Sequence, residues 1–319
     1  MGLGLGEEAM WLAWIGAAAV LIYVLMAAGL FLFQRRILYL PDRARPDLAR
    51  AGVAGAMETT VSTQDGLTLL AWYLPPAAPD GFVVLYLHGN AGHLGHRACR
   101  FAPFAALGWG VLMPEYRGFG GNPGSPSEAG LNLDAQAGLA ALRAKGVPLS
   151  RILFWGESLG SGVAAQLATA HTPGAVLLEA PYTSIVAMAR LHYPFVPVGT
   201  LLLDRFDSLT AVPKIRAPVL IMHGARDAII PPRMGKALFD AATGPKEFWL
   251  APLGGHADLT EAGAVEAAAA FVQRTVSASF EPRTGSAAFE PRTDSAAFEP
   301  RTVSAPFEPP TVTAAPASH

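Results

Sequence analysis

"ILFWGESLGSGVAAQLATA", residues 152 to 170, passes from four large apolar side chains through Gly156-Glu157-Ser158-Leu159-Gly160 into small, helix-favouring residues. The first part does not alternate with polar residues, so it reads as a strand covered on both faces. The last part reads as a helix. A serine flanked at two residues' distance by glycines, at a strand-to-helix junction, is the pattern of a nucleophile elbow. The glycines have a steric reason: so sharp a turn brings the two backbones together, and a Cβ on either glycine would collide. Ser158 is therefore the candidate nucleophile, and the bland alternative is one small residue in a crowded junction.

Outward from this stretch the same kind of apolar, β-rich run recurs at 82–87, 110–114, 175–179, 218–222 and 247–250. Helix-like segments lie between and after these runs, including Ser127–Ala144, with Ser127 as N-cap, and Ala264–Arg274. Met57–Val61 and Leu67–Leu74 flank a hairpin turn at Gln64-Asp65-Gly66. Strand and helix in alternation predict an α/β fold with a mostly parallel central sheet and helices on both faces.

A serine hydroxyl is a poor nucleophile until a base takes its proton, so the elbow predicts a histidine and an acid to orient it. On such a scaffold they follow the serine in the order acid, then histidine. "PVLIMHGARDAIIPP" puts Asp227 just past a strand end, and "WLAPLGGHADL" puts His256 in a glycine-rich loop beyond the next strand. Ligands of open parallel sheets sit at the carboxyl ends of the strands, where all three candidates fall. Rivals are weaker. His171 follows a helix, His192 lies in an irregular insert, and His223 precedes the acid. Asp204 and Asp207 fall off strand ends and read as caps or surface groups, and Asp258 reads as the N-cap of the last helix.

Acyl transfer also needs donors aimed at the developing oxyanion. "VVLYLHGNAGHLGH" (83–96) makes a sharp His88-Gly89-Asn90 turn after a strand, so the backbone N–H groups of Asn90 and Leu159 are the candidate pair. Gly89, Gly92 and Gly95 recur before a helix, but the sequence has neither G-x-G-x-x-G nor a P-loop lysine, which argues against a nucleotide loop. It has no H-E-x-x-H zinc signature either. The expected chemistry needs no cofactor and no metal.

The flanks differ from the middle. Ala9–Phe33 carries no charge and exceeds the roughly 20 apolar residues that span a bilayer, so it is predicted to be a transmembrane anchor. Glu7 and Glu8 precede it where a cleavable signal would be basic. Arg35, Arg36, Arg43, Arg45 and Arg50 follow it, which by the positive-inside rule puts the C-terminal side, and the catalytic domain, in the cytoplasm. From Ser277 the chain repeats "SASFEPRTG" and its variants about every nine residues, with one phenylalanine and at least one proline per copy. One aromatic per copy cannot repay chain entropy, so 276–319 is expected to be a disordered tail whose partner, if any, is unknown. The division is thus anchor 9–33, catalytic domain 50–275 and tail 276–319.

Hydrophobic residues make up 51% and charged residues 15%, enough apolar mass for a large core. The net charge of -2, without a basic stripe, argues against a nucleic-acid partner. Cys99, the single cysteine, excludes a disulfide framework; on a predicted helix beside Phe101 and Phe104 it reads as packing.

Taken together, "LHGNAG", "EYRGFGGNPGSPSEAGL", "WGESLGSGVA", "EAPYTSI", "HGARDAIIP" and "GGHADL" resemble the α/β-hydrolase superfamily, most nearly its membrane-anchored, bud-emergence-type branch. The resemblance covers roughly residues 10 to 273 and leaves the tail outside. It implies a serine hydrolase, with depalmitoylase-like and peptidase-like members both in view. The insert Tyr182–Pro213, with "LHYPFVPVGTLLL", either lines an acyl pocket beneath a short lid or completes the core. An ester or thioester with an apolar acyl chain, small or lipidated, is the expected substrate. Amide hydrolysis is the alternative within enzymes, and a catalytically silent membrane scaffold of the same fold is the alternative outside them.

Overall fold

The computed structural model describes residues 4–276. The repeats that begin at Ser277, with the tail expected from them, lie outside that range.

Eight strands form the central sheet: β1 (Met57–Ser62), β2 (Thr68–Leu74), β3 (Val83–Leu87), β4 (Gly110–Pro114), β5 (Ile152–Glu157), β6 (Ala175–Glu179), β7 (Val219–Gly224) and β8 (Lys246–Ala251). Their spatial order is β8-β7-β6-β5-β3-β4-β2-β1. β2 runs antiparallel to both β1 and β4, and every other neighbouring pair is parallel. Order reverses where β3 and β5 leave the sheet in opposite directions, and that crevice at the carboxyl ends of parallel strands is where this architecture binds ligands.

Besides single turns at Leu48–Ala51 and Ser208–Ala211, the helices are α1 (Gly4–Leu38), α2 (Phe101–Ala106), α3 (Glu128–Ala144), α4 (Leu159–Ala170), α5 (Ile185–His192), α6 (Val198–Leu201), α7 (Pro232–Ala241) and α8 (Ala264–Thr275). Side chains alternate across the sheet with the two-residue period of a strand. Val83, Leu85, Leu87, Ile152 and Phe154 meet α3, α4 and α7 through Leu131, Val163 and Leu238. Val84, Tyr86, Leu153 and Trp155 meet α2 and α8 through Phe101, Phe104, Val265 and Phe271. Ser127 caps α3, its side chain accepting the Gly130 N–H at 3.1 Å.

Two expectations need correction. Cys99 is exposed, not packed. It lies on a 3₁₀ segment, Leu94–Arg100, whose three-residue turn puts Leu94, Arg97 and Arg100 on the inward edge and leaves Cys99 outside it. Asp258 does not cap α8, whose N-cap position is Gly263 in a left-handed conformation; it closes the preceding loop by accepting the Gly255 N–H at 2.7 Å.

α1 is long and apolar enough to cross a membrane over Ala9–Leu38, with mean hydropathy 2.5. The chain leaving it joins the domain at once. Leu40–Pro41 pairs in parallel with Ala91–Gly92, and Tyr39 is buried.

Candidate active site

Ser158 sits at φ 50°, ψ -115°, a strained position for a residue with a Cβ. The turn is held from both sides: the Ser158 N–H donates to the Glu179 carbonyl at 2.9 Å, and the Ser158 carbonyl accepts from Ser161 Oγ at 2.6 Å. The flanking glycines are obligatory here. A Cβ on Gly156 would run into the Gly160 carbonyl oxygen, and one on Gly160 would run into the carbonyl oxygen of Leu87 on β3.

The elbow, the loop after β7 and the loop after β8 bring three side chains together. His256 Nε2 lies 3.1 Å from Ser158 Oγ, and His256 Nδ1 lies 2.8 Å from Asp227 Oδ2. The other carboxylate oxygen of Asp227 accepts the N–H groups of Ile229 and Ile230 at 2.9 and 2.8 Å. Burial by itself would raise the Asp227 pKa, but hydrogen bonds from His223, His256 and the Ile230 N–H outweigh it and hold the carboxyl well below the usual carboxylate range. An acid so held stays charged opposite the imidazole. With Nδ1–H committed to Asp227, Nε2 is left as the lone-pair nitrogen facing the serine.

The turn after β3 lies against the elbow: a Cβ on Gly89 would stand 3.5 Å from the Ser158 Cβ. Asn90 and Leu159 line the same cavity as Ser158 and His256. Asn90 is also clamped to the end of α1, since its Nδ2 donates to the Leu38 carbonyl at 2.9 Å and its carbonyl accepts the Leu40 N–H at 2.9 Å. The cavity measures about 550 Å³ and its walls are mainly apolar. Leu30, Phe31 and Ile37 of α1 form one side, and Ile185, Met188, Val196 and Leu201 of the insert form another. The insert takes both roles open to it: these residues form a pocket wall, while Tyr182, Phe206, Ala211 and Val212 are buried in the core.

The rivals fall elsewhere. His171 follows the end of α4, and His192 lines the cavity wall. His223 is buried behind Asp227, 3.4 Å from its carboxylate, with Nε2 2.9 Å from the Ile230 carbonyl. Asp207 caps the short helix at Ser208–Ala211 as expected. Asp204, by contrast, is buried: it accepts the Glu128 N–H at the start of α3 and pairs with Arg35 at 2.9 and 3.2 Å.

Sequence reasoning missed the polar frame beneath the elbow. Glu157, beside the serine, accepts from Tyr86 Oη at 2.7 Å and faces Arg97 at 3.3 Å. Burial opposes its ionisation, yet Arg97, Arg100 and the Tyr86 hydroxyl prevail and lower its pKa. Buried Glu179, whose carbonyl holds Ser158, pairs with Arg100 at 2.9 Å and accepts from Trp155 Nε1 at 2.7 Å. Behind the Gly89 turn, Glu115 accepts the Leu94 N–H at 2.8 Å and lies 3.1 Å from His88 Nε2. The only available signal was Glu or Arg in otherwise apolar surroundings.

Asp42, His93 and His96 gather near this turn in a way that invites a metal. Their protonation argues otherwise. His93 Nδ1 accepts the Gly95 N–H at 3.0 Å and His96 Nδ1 accepts the His93 N–H at 3.3 Å, which leaves the protons on the Nε2 atoms that face Asp42. A metal on those Nε2 atoms would drive the protons onto Nδ1, against the backbone N–H groups.

Comparison with known proteins agrees with this architecture. A profile described as the alpha/beta hydrolase fold matches residues 83–196. The chain is 39% identical to uncharacterized protein Rv2307c of Mycobacterium tuberculosis, over 75% of this chain and 87% of that one. It is 32% identical to the lysophosphatidylserine lipase ABHD12 of Danio rerio, over 73% and 69% respectively. It is 30% identical to protein bem46 of Schizosaccharomyces pombe, over 77% and 88%. Among solved structures, the Pyrococcus furiosus esterase Pf2001 matches with a TM-score of 0.59 and 17% identity, over 74% of this chain and 99% of that one, a likeness of fold.

Proposed function

The chain belongs to the α/β-hydrolase family, and from that premise we propose that it is a membrane-anchored serine hydrolase acting on esters or thioesters with apolar acyl groups. Ser158 is the nucleophile, His256 the general base and then acid, and Asp227 the group that orients the imidazole and stabilises the imidazolium that forms. The observation that carries the reading is the unbroken chain from Ser158 Oγ through His256 to Asp227, at 3.1 and 2.8 Å, opening into an apolar cavity.

In the first half-reaction Ser158 Oγ bonds to the acyl carbon as its proton passes to His256 Nε2. Negative charge gathers on the former carbonyl oxygen, facing the N–H groups of Asn90 and Leu159. Collapse breaks the bond to the leaving alkoxide or thiolate, which takes the proton from His256, and the acyl group stays on Ser158. Water then repeats the sequence: His256 removes its proton, the hydroxide oxygen bonds to the acyl carbon, and Ser158 leaves with the proton returned. The strain at Ser158 keeps Oγ at the cavity floor, so little reorganisation is needed before attack.

The mainly apolar walls favour an acyl chain over a peptide, whose amide groups would go unpaired there. α1 anchors the enzyme, and the arginines that follow it hold the catalytic side in the cytoplasm. The test is labelling by a fluorophosphonate probe followed by turnover of graded acyl esters, thioesters and aminoacyl amides. Wild-type protein labels and Ser158→Ala does not, with esters of longer chain preferred. Aminoacyl amides cleaved far faster than any ester would refute the acyl reading, and absence of labelling would refute the hydrolase.

A further inference from the structure

Resting on that reading of α1 and of the cavity, we infer that the tip of the insert is embedded in the bilayer beside α1 and that the cavity takes acyl substrates sideways from the hydrocarbon. Three observations lead there.

The first is depth. Tyr23 Oη of α1 donates to the Phe195 carbonyl at 2.8 Å. Further along α1, Gln34 accepts the Leu203 N–H at 2.8 Å, and Arg35 pairs with Asp204. Tyr23 and Gln34 are about 16 Å apart along the axis, at about 1.5 Å rise per residue, so the insert follows α1 for some three turns. A bilayer takes about 20 residues of helix, and every such window within Ala9–Phe33 contains Tyr23. Whatever hydrogen-bonds Tyr23 therefore lies within the hydrocarbon.

The second is that the insert is built for such a place. From Leu191 to Leu203 it has no Asp, Glu, Lys or Arg. Phe195 is 83% exposed and Leu203 55%, with Leu191 and Tyr193 exposed beside them. Backbone donors in lipid must be satisfied internally. Pro194 and Pro197 have none, and the N–H groups of Tyr193, Val196 and Val198 donate to the carbonyls of Ala189, Tyr193 and Val196, which leaves the Phe195 N–H as the one donor from Tyr193 to Val198 without a partner among the described residues. The tyrosine hydroxyl and the Phe195 carbonyl satisfy one another.

The third is the rim of the cavity. Phe31 and Ile37 on α1, Leu40 just after it and Ile229 beside the acid all line the cavity and are all exposed. An opening edged by large apolar side chains, two of them on the spanning helix, faces lipid at little cost and water at a large one. A chain already dissolved in the leaflet then moves along α1 to Ser158 without crossing water.

The test uses full-length protein in palmitoyl-oleoyl phosphatidylcholine vesicles. In a Cys99→Ser background, Phe195→Cys carries an NBD label. Quenching by doxyl-labelled lipid, with no quenching by iodide, is expected; the reverse pattern overturns the embedding. In parallel, Phe195→Asp is expected to slow hydrolysis of vesicle-borne p-nitrophenyl palmitate by about tenfold, given the cost of a carboxylate in the hydrocarbon. Water-borne p-nitrophenyl butyrate should change by less than about twofold, because neither substitution alters the path from the aqueous side, and Phe195→Leu should keep the wild-type palmitate rate, because leucine is as apolar as the hydrocarbon around it. Equal losses on both esters, or none on either, overturn the access route. Wild-type protein that hydrolyses neither ester overturns the hydrolase reading and the route with it, and the quenching measurement still decides the embedding separately.

Discussion

The two sides of the cavity are built by different physics. On the sheet side, Ser158, Asp227 and His256 each stand within a few residues of a strand's carboxyl end, and backbone sterics at Gly156 and Gly160 set the elbow. On the other side, α1 and the insert meet across more than 160 residues of sequence through Tyr23, Gln34 and Arg35. In the function proposed above, the first side sets which bond breaks and the second sets what reaches it. Changes on the sheet side should therefore act on turnover of every substrate. Changes on the α1 side should act selectively, by chain length or through the oxyanion turn.

The largest effect expected is at the elbow itself. Ser158→Ala should lower kcat on any ester by about 10⁵-fold or more, while far-UV circular dichroism and thermal midpoint hold, since the variant loses only a hydroxyl. Retention of even a tenth of the activity would remove Ser158 from the chemistry. Next comes Asp227→Asn. The amide can offer His256 the wrong partner and so favour the wrong tautomer, and kcat should fall about 10⁴-fold on short and long esters alike. A loss confined to long-chain substrates would break the division between the two sides.

That division also marks what could be read in the sequence. A nucleophile elbow is a local object: a buried strand, two glycines with no room for a Cβ, and a helix start fall within twenty residues. The strand runs declared themselves by unbroken apolar stretches, and Ser127 by its place before a helix. What was not legible needed either partners from afar or the exact winding of a local turn. Asp204 looked like an ordinary surface cap because its arginine lies at position 35. Asp258 stands ahead of the last helix, but Gly255 offered a nearer N–H. Cys99 looked buried because its neighbours Phe101 and Phe104 are, and only the 3₁₀ winding put it outside. The wall formed by Leu30, Phe31 and Ile37 was invisible because an apolar run that suits lipid carries no mark of also facing a cavity.

A smaller effect is expected where the two sides touch. Asn90→Ala keeps the backbone N–H proposed to face the oxyanion and removes only the hydrogen bond from Nδ2 to the Leu38 carbonyl. A turn loosened in this way should lower kcat about tenfold with KM nearly unchanged, because the loss is of alignment in the transition state. Steady-state kinetics on a short water-borne ester checks it. An unchanged kcat would mean that the end of α1 serves as wall and anchor without steadying the turn.

The smallest effect concerns the frame under the elbow and is read in stability. Glu157 has a folded-state pKa held below its ordinary value, with Arg97 the leading favourable influence against burial. A depressed carboxylate stabilises the fold above its unfolded pKa, near about 4.3, and that stabilisation is lost as pH falls toward the folded value. The thermal midpoint of the wild type should therefore drop between about pH 5 and pH 3. Arg97→Gln should start lower at neutral pH and lose less across the same interval, since Glu157 then titrates nearer its unfolded pKa. Parallel curves for the two proteins would show that Arg97 packs against the elbow without holding the charge of Glu157.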